Sequence, residues 1–398
     1  MTPSTSPPTR LALIGTGGRG QIYVDVLRRM DPPRAVWAAM CDRDPDALDA
    51  FCRRNGLGDV PRLGSVDGIL GRDDIDAVLI CTPDYAHREP AEACFSAGLH
   101  CLVEKPVATN AGDVRAICRA ARSSGRLLHL GFVFRYDPCA LKLRELVTGG
   151  AIGRVIACVV HEAIGWFHGS TYMRRWNRFR AKSGDMLLHK GCHTFDLLNF
   201  ITGAYPVRVA AFGGTEVFRP RPEAAERCSD CAVAEGCMYY TDQGPEYRDR
   251  FTRTAGPQVL PEDLCVYNVD KDTTDTVGLT AEYTNGMKLS YTMSMVSPQG
   301  QRRLTLIGTR GEIRCDMESY RIEYLPLPDR PTEAIDVDVP EGSGHQHHDL
   351  CLTHDFLDRI QSGAAADQGV EDAYMSGAVA FAALESMERG QVVAIPAL

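Results

Sequence analysis

The chain has 398 residues, 44% of them hydrophobic, enough for two or three domains with real cores. Its formal net charge is −9 and it has no long basic run, which argues against nucleic acid as a partner. No stretch approaches the roughly 18 consecutive apolar residues of a membrane helix, so no membrane partner is expected.

The polar, proline-rich start MTPSTSPPTR lacks the apolar segment of a secretory signal. The 15 cysteines are odd in number and lie mostly singly in apolar segments, as at Cys81, Cys101, Cys118 and Cys158. That usage fits buried small hydrophobes in a reducing compartment, so a cytoplasmic location is expected.

The first element is the apolar run Leu11–Ile14, read as a strand buried on both faces. It runs into Gly15-Thr16-Gly17-Gly18-Arg19-Gly20, which has the spacing G-x-G-x-x-G, and then into a helical interval at Ile22, Val26 and Met30. Gly15 suits the tight turn, Gly17 lets backbone approach a pyrophosphate, and Gly20 lets the helix pack on the strand. The helix N-terminus adds free N–H groups and a positive dipole end for the phosphates. Asp42 ends the next apolar run, Ala35 to Cys41, where a carboxylate can bond the ribose hydroxyls of NAD. A 2′-phosphate would meet that charge, so NAD is favoured; Arg43 beside it offsets the charge and keeps NADP as the alternative.

Strands and helices then alternate, as in a parallel sheet covered on both faces. Helices are expected at Pro45–Asn55, Ser65–Leu70, Tyr85–Ala97 and Asn110–Ser124, and strands at Asp76–Ile80, His100–Val103 and Arg126–Phe132. Ligands of such sheets sit outside the carboxyl ends of the strands. That rim carries the glycine turn, Asp42, Thr82-Pro83 and Glu104-Lys105-Pro106.

The set IGTGGRG, CDRD, CTPDYAH, EKPVATN and GFVFRYDP resembles the glucose–fructose oxidoreductase / inositol dehydrogenase / MocA family, two-domain NAD(P)-dependent oxidoreductases of sugars and cyclitols. The resemblance covers nearly the whole chain, and EKP is its most specific mark. It implies that Lys105 reaches toward nicotinamide and substrate, and that Glu104, His87 and Arg135 belong to the cofactor side. The expected fold is α/β: a Rossmann domain over 1–132, then an α+β domain over 133–398 with a predominantly antiparallel open sheet. A cysteine-containing insertion occupies 220–270 of the second domain.

Past Phe132, a helix is expected over Asp137–Thr148, a long strand over Arg154–Ala163, and a helix within SGDMLLHKGCHTFDLLNFITG, Ser183 to Gly203. His189 and His193 are four apart and share a helix face. Lys190 stands where a zinc protease helix has glutamate, so H-E-x-x-H does not apply. By resemblance, His193 matches the family's catalytic histidine, Asp196 its following aspartate, and His189 stands where many members have aspartate.

Cys228 and Cys231 form C-x-x-C, with Cys237 close behind and Cys265 as a fourth candidate. One structural zinc is expected there, with free thiols or a disulfide as the alternatives. Strands are expected through VGLTAEY, MKLSYTMSMV, RRLTLIGT, GEIRCDM and YRIEYLPL, with Asn285-Gly286 as a hairpin turn. By resemblance this sheet uses its outer face for subunit contacts in a homodimer or homotetramer. The stretch GSGHQHHD reads as a loop ahead of a helix, and resemblance puts His345 and Asp349 near a substrate. The last helix is expected over Asp372–Arg389.

The expected activity is hydride transfer between NAD(P) and a secondary alcohol or ketone of a sugar, sugar derivative or cyclitol. His193 acts as base and Lys105 stabilises the alkoxide, with His189 alongside. Two alternatives stay open. One is an enzyme whose tightly bound NAD oxidises transiently, for epimerisation or glycoside elimination. The other is a dinucleotide-binding sensor without catalysis, against which the joint presence of Lys105 and His193 speaks.

Overall fold

The computed structural model describes residues 7–255, 260–328, 330–340, 345–363 and 369–398. Two compact units emerge, one of residues 1–136 with 341–374, the other of 137–340 with 375–398. The sequence reading places residues 341–374 in the second domain, whereas they belong to the first unit.

In the first unit the elements follow as β1 (Thr9–Ile14), α1 (Gly18–Arg28), β2 (Ala35–Cys41), α2 (Pro45–Arg54), β3 (Arg62–Leu63), α3 (Asp67–Leu70), β4 (Ala77–Ile80), α4 (Arg88–Ser96), β5 (His100–Val103), α5 (Ala111–Ser124) and β6 (Leu128–Leu130). Local chemistry sets the helix ends. Asp44 caps α2 by accepting from the Asp46 and Ala47 amides, and Asn110 caps α5 by accepting from the Asp113 amide. Gly125 closes α5 in the left-handed region.

The six strands are parallel in the order β3-β2-β1-β4-β5-β6, so the direction of winding reverses between β1 and β4. Ile14 pairs with Cys41 and Ile80, and Val103 with Ile80 and Leu130. The register therefore brings Gly15, Asp42, Cys81, Glu104 and Gly131 to one rim at the switch point, where open α/β sheets bind ligands.

The second unit holds α6 (Pro138–Thr148), β7 (Val155–Gly165), α7 (Trp166–Met173), α8 (Arg180–Ser183), α9 (Met186–Thr202), β8 (Pro206–Gly214), α10 (Pro245–Ala255), β9 (Thr276–Tyr283), β10 (Lys288–Ser297), β11 (Gln301–Gly308), β12 (Gly311–Asp316), β13 (Arg321–Pro326) and β14 (Glu333–Ile335). Its sheet has nine strands in the order β14-β13-β12-β11-β7-β10-β9-β8-β15, the last being Val393–Ala394. Every pairing is antiparallel except β7 with β10, giving a mixed, mostly antiparallel sheet. Strands β9 to β12 alternate buried and open residues, the pattern of a sheet with one covered face. Helix α9 is buried at 14 of its 17 positions, so its apolar residues leave it little polar surface.

Helix α11 (His345–Ser362) then returns to the first unit and lays Leu352, Phe356 and Leu357 into the core formed by β1, α1, β2 and β4. The chain passes into the second unit within α12 (Val370–Arg389). The first turns of α11 contain His347, His348 and Asp349, where the sequence suggested a loop.

Candidate active site

On the first unit's rim, Gly15 has φ +95, and a Cβ there would lie 2.7 Å from the Cys81 carbonyl carbon and oxygen. Only glycine fits that turn. A Cβ on Gly20 would come 2.5 Å from the Gly15 oxygen, so α1 packs directly on the end of β1. Gly17 opens instead to free space, with nothing within 4 Å of its Cβ position. It caps α1 without a side-chain bond, and the helix has no acidic residue in its first turn. The backbone amides there are left for an anion, which fits the pyrophosphate of a dinucleotide.

Asp42 braces this turn. One carboxylate oxygen accepts from the Thr16 amide and hydroxyl, each at 2.8 Å, and the other accepts from the Asp44 amide at 3.1 Å. Arg43 is exposed beside it. Across the rim, Thr82 donates to the Ala86 oxygen at 2.9 Å, and Pro83 opens a short 3-10 turn over Asp84–Ala86. The buried His87 lies 2.9 Å from the Thr82 oxygen through Nε2 and 3.0 Å from the Pro106 oxygen through Nδ1. It ties the two turns together, and burial pulls its imidazole below the usual range.

Glu104 is 3% exposed. Its Oε1 accepts from Arg19 Nη2 at 2.6 Å, Arg19 Nε at 2.8 Å and the Tyr23 hydroxyl at 2.7 Å. Its Oε2 accepts from the Lys105 amide at 3.2 Å. Burial alone would raise this carboxyl, but Arg19, Tyr23 and Lys105 outweigh it and hold it below the ordinary carboxylate range. Arg19 also forks onto Asp349, with Nη2 at 2.7 Å and Nη1 at 3.3 Å from its two oxygens.

Asp349 is fully buried and faces Arg19, not solvent, because it lies within α11 and not in a loop. Burial raises its carboxyl despite the guanidinium. Arg135 pairs with Asp372 at 3.0 Å. His345 opens α11, and its side chain lies outside the described residues.

In the second unit, Asp185 starts α9 from a left-handed backbone, φ 94. It accepts from the Leu187 amide at 2.9 Å, the Thr274 hydroxyl at 2.6 Å and amide at 3.0 Å, and Arg180 Nε at 3.1 Å. Four donors on one buried cap residue explain why the strained geometry is kept.

His189 and His193 follow on α9, with 8% and 9% of their surface open. The His189 ring meets Tyr172 edge-on at 5.3 Å and Trp176 at 6.2 Å between centroids. Tyr172 stacks on His168, with its hydroxyl 2.7 Å from His168 Nε2, and the Lys190 ammonium lies 4.5 Å over its ring. Beneath α9, Thr194 donates to Glu162 at 2.6 Å, and Glu162 accepts from Tyr291 at 2.8 Å and Arg302 at 2.7 Å. This anchors the turn that carries His193.

Sequence reasoning missed Tyr23, His168, Tyr172 and Trp176. The segment WFHGSTYMRRW did carry a signal, since His168, Tyr172 and Trp176 recur every four residues.

The zinc expectation finds no support among the described residues. Among the described residues no group of three or more His, Cys, Asp or Glu is placed to hold a metal ion, and Cys228, Cys231, Cys237 and Cys265 are free thiols. The buried Arg174 guanidinium joins these stretches instead. It donates to the Leu264 oxygen at 2.8 Å, to the Tyr239 oxygen, and to the Cys228 sulfur at 3.8 Å. A fixed positive charge beside Cys228 disfavours a second cation there.

Comparison with known proteins extends this picture. Residues 9–132 match the description "Oxidoreductase family, NAD-binding Rossmann fold", and residues 144–395 match "Oxidoreductase family, C-terminal alpha/beta domain". The chain is 29% identical to putative oxidoreductase YteT of Bacillus subtilis over 349 residues, 80% of this chain and 81% of that one. It is 29% identical to inositol 2-dehydrogenase of Rhizobium meliloti over 202 residues, 51% of this chain and 57% of that one. A solved levoglucosan dehydrogenase, in complex with NADH and levoglucosan, shares the fold with a TM-score of 0.77 at 19% identity, covering 98% of this chain and 100% of that one.

Proposed function

The chain belongs to the Gfo/Idh/MocA oxidoreductase family, and from that premise we propose that it transfers a hydride between NAD and a secondary alcohol or ketone of a sugar, sugar derivative or cyclitol. The observation that carries the reading is the uncapped glycine turn beside Asp42 on the same rim as Glu104-Lys105. NAD, when bound, supplies the nicotinamide carbon that exchanges the hydride. The amides at Gly17–Gly20 hold its phosphates, and Asp42 prefers a ribose with a free 2′-hydroxyl over the 2′-phosphate of NADP.

In oxidation, His193 takes the proton from the substrate hydroxyl. The Lys105 ammonium stabilises the developing alkoxide, and His87 and Glu104 hold the turn that carries it. His189, enclosed by Tyr172 and Trp176, orients a substrate hydroxyl by hydrogen bonding, because imidazole does not supply the fixed negative charge that aspartate would.

Two further parts of the proposal concern surroundings. The outward residues Val159 and Phe212 on the nine-stranded sheet, 47% and 81% exposed, suit pairing with a second copy in a homodimer or homotetramer. None of the 15 cysteines is in a disulfide, which suits a cytoplasmic setting. No helix among the described residues is long and apolar enough to cross a membrane.

The test is single-turnover NADH formation across a panel of sugars and inositols. Lys105→Ala and His193→Ala should each lower the rate at least about a hundredfold. NAD affinity should fall more for Lys105→Ala, since only Lys105 lies in the nucleotide-binding unit. A near wild-type rate in the His193 variant removes it as the base. Turnover of product without added NAD would instead point to transient oxidation by a retained cofactor.

A further inference from the structure

We infer that Arg19, although it sits inside the glycine turn, is a positioning residue for Lys105 and not a ligand of the dinucleotide phosphates. The inference rests on the oxidoreductase reading above. An arginine in the first turn of a phosphate-binding helix would ordinarily be expected to meet the anion. Here all three guanidinium nitrogens are committed inward. Nε and Nη2 meet Glu104, Nη1 and Nη2 meet Asp349, and Nη2 also reaches the Tyr23 hydroxyl at 3.3 Å.

Both carboxylates need that cation. Their side chains are 4% and 0% exposed, and a buried carboxylate without a partner is costly. Taking Arg19 away to bind phosphate would strand them.

The geometry then leads to the lysine. The Glu104 carboxylate that Arg19 holds accepts the Lys105 backbone amide through its other oxygen. The place for that carboxylate exists because residue 131 is glycine; a Cβ there would lie 2.9 Å from Glu104 Cδ and Oε2. On the far side, Asp349 stands on α11, which Leu352, Phe356 and Leu357 fix in the core. Arg19 thus spans from a core-anchored helix to the strand end that presents Lys105. An error of about an ångström at a reacting group can cost a hundredfold in rate, so such a brace has kinetic weight.

Arg19→Lys tests this, because it keeps the charge but a single ammonium cannot reproduce the planar fork across two carboxylates. At saturating NAD and substrate, kcat should fall at least about tenfold, while NAD Kd and substrate KM stay within about threefold of wild type. Asp349→Asn, which removes the far anchor while keeping its shape, should move kcat in the same direction. A tenfold weaker NAD Kd with unchanged kcat in Arg19→Lys would make Arg19 a phosphate ligand and overturn the inference.

A second readout needs no turnover. The full chain without NAD is labelled with a limiting amine-reactive reagent, and modification of Lys105 relative to Lys288 is read by peptide mass spectrometry. Arg19→Lys should change that ratio at least about threefold, and an unchanged ratio overturns the inference. If Lys105→Ala retains full hydride transfer, the oxidoreductase assignment of Lys105 fails, while the labelling result still decides whether Arg19 positions it.

Discussion

Two buried glutamates, one in each unit, lie beside the two residues assigned to the chemistry, and they are held by similar partners. Glu104 takes Arg19, the Tyr23 hydroxyl and the Lys105 amide. Glu162 takes Arg302, the Tyr291 hydroxyl and the hydroxyl of Thr194, next to His193. The difference lies in the arginine. Arg302 is 8% exposed and shares itself with a neutral hydroxyl, at 3.0 Å from Thr194, whereas Arg19 is 29% exposed and serves a second carboxylate. A buried charge is stable only when its hydrogen bonds are filled, so each unit fixes its reactive neighbour by filling them. In the second unit one carboxylate, Glu162, is hydrogen-bonded to the arginine, while in the first two carboxylates share it.

That contrast gives the largest expected effect. Glu162→Ala takes the hydrogen-bonded carboxylate away from the buried Arg302 guanidinium and should cost about 3–5 kcal/mol in urea unfolding. Glu104→Ala leaves Arg19 with Asp349 and partial solvent, so its cost should be clearly smaller. Equal losses would break the comparison.

Acid should separate the units next. His129 on β6 stacks on Phe356 at 5.4 Å and has Asp355 at 3.9 Å, with Arg359 and Arg135 also near. Burial pulls its imidazole down to about 4 from the ordinary 6.5. Since the folded value lies below the unfolded one, the unfolded chain binds the proton first. Stability is full above the unfolded value and declines as pH falls from 6.5 to about 4. The loss is of order 3 kcal/mol, confined to the first unit. Glu104, held below its usual range, adds a loss at still lower pH. Thermal unfolding across this window should show the slope, and His129→Phe should reduce it, leaving the contribution of the other lowered imidazoles such as His87; a slope unchanged by the substitution would remove His129 as its source.

The smallest effect concerns a carboxylate of the same rim that is only half-buried. Asp42→Ala removes two bonds to Thr16 and should cost about 1 kcal/mol. It should also improve NADP affinity relative to NAD about tenfold, read by fluorescence titration of both nucleotides. Wild-type protein that already binds both equally would remove Asp42 as the discriminator.

The rim was legible in the sequence because glycine spacing, apolar strands and strand-end residues are local signals. Gly15, Asp42, Glu104 and Lys105 could be placed from their positions alone. The Arg19 fork was not legible, since its partners lie 85 and 330 residues away and no periodicity links them. The assignment of His345 and Asp349 to a loop failed for a related reason: the polar run HQHHD has no apolar repeat of its own, yet it is helical because the residues after it pack into the core. The cysteine spacing suggested a metal, but spacing is blind to Arg174, which enters from just past the end of α7. The aromatic enclosure of His189 arises from packing of α7 and the turn after it, Trp176–Arg178, against α9, which no single segment reveals.

The return of α11 to the first unit has a consequence for the order in which the molecule can be made. A ribosome delivers residues 137–340 before it delivers Leu352, Phe356 and Leu357, so the nucleotide-binding unit waits for part of its own core until the other unit's chain has largely emerged. During that interval Arg19 and Glu104 lack Asp349, and the apolar surface on α1 and β1 that α11 will cover faces solvent. Vectorial synthesis thus makes the earlier-translated unit the later one to close, which ties the maturation of the glycine turn to synthesis of the chain as far as α11.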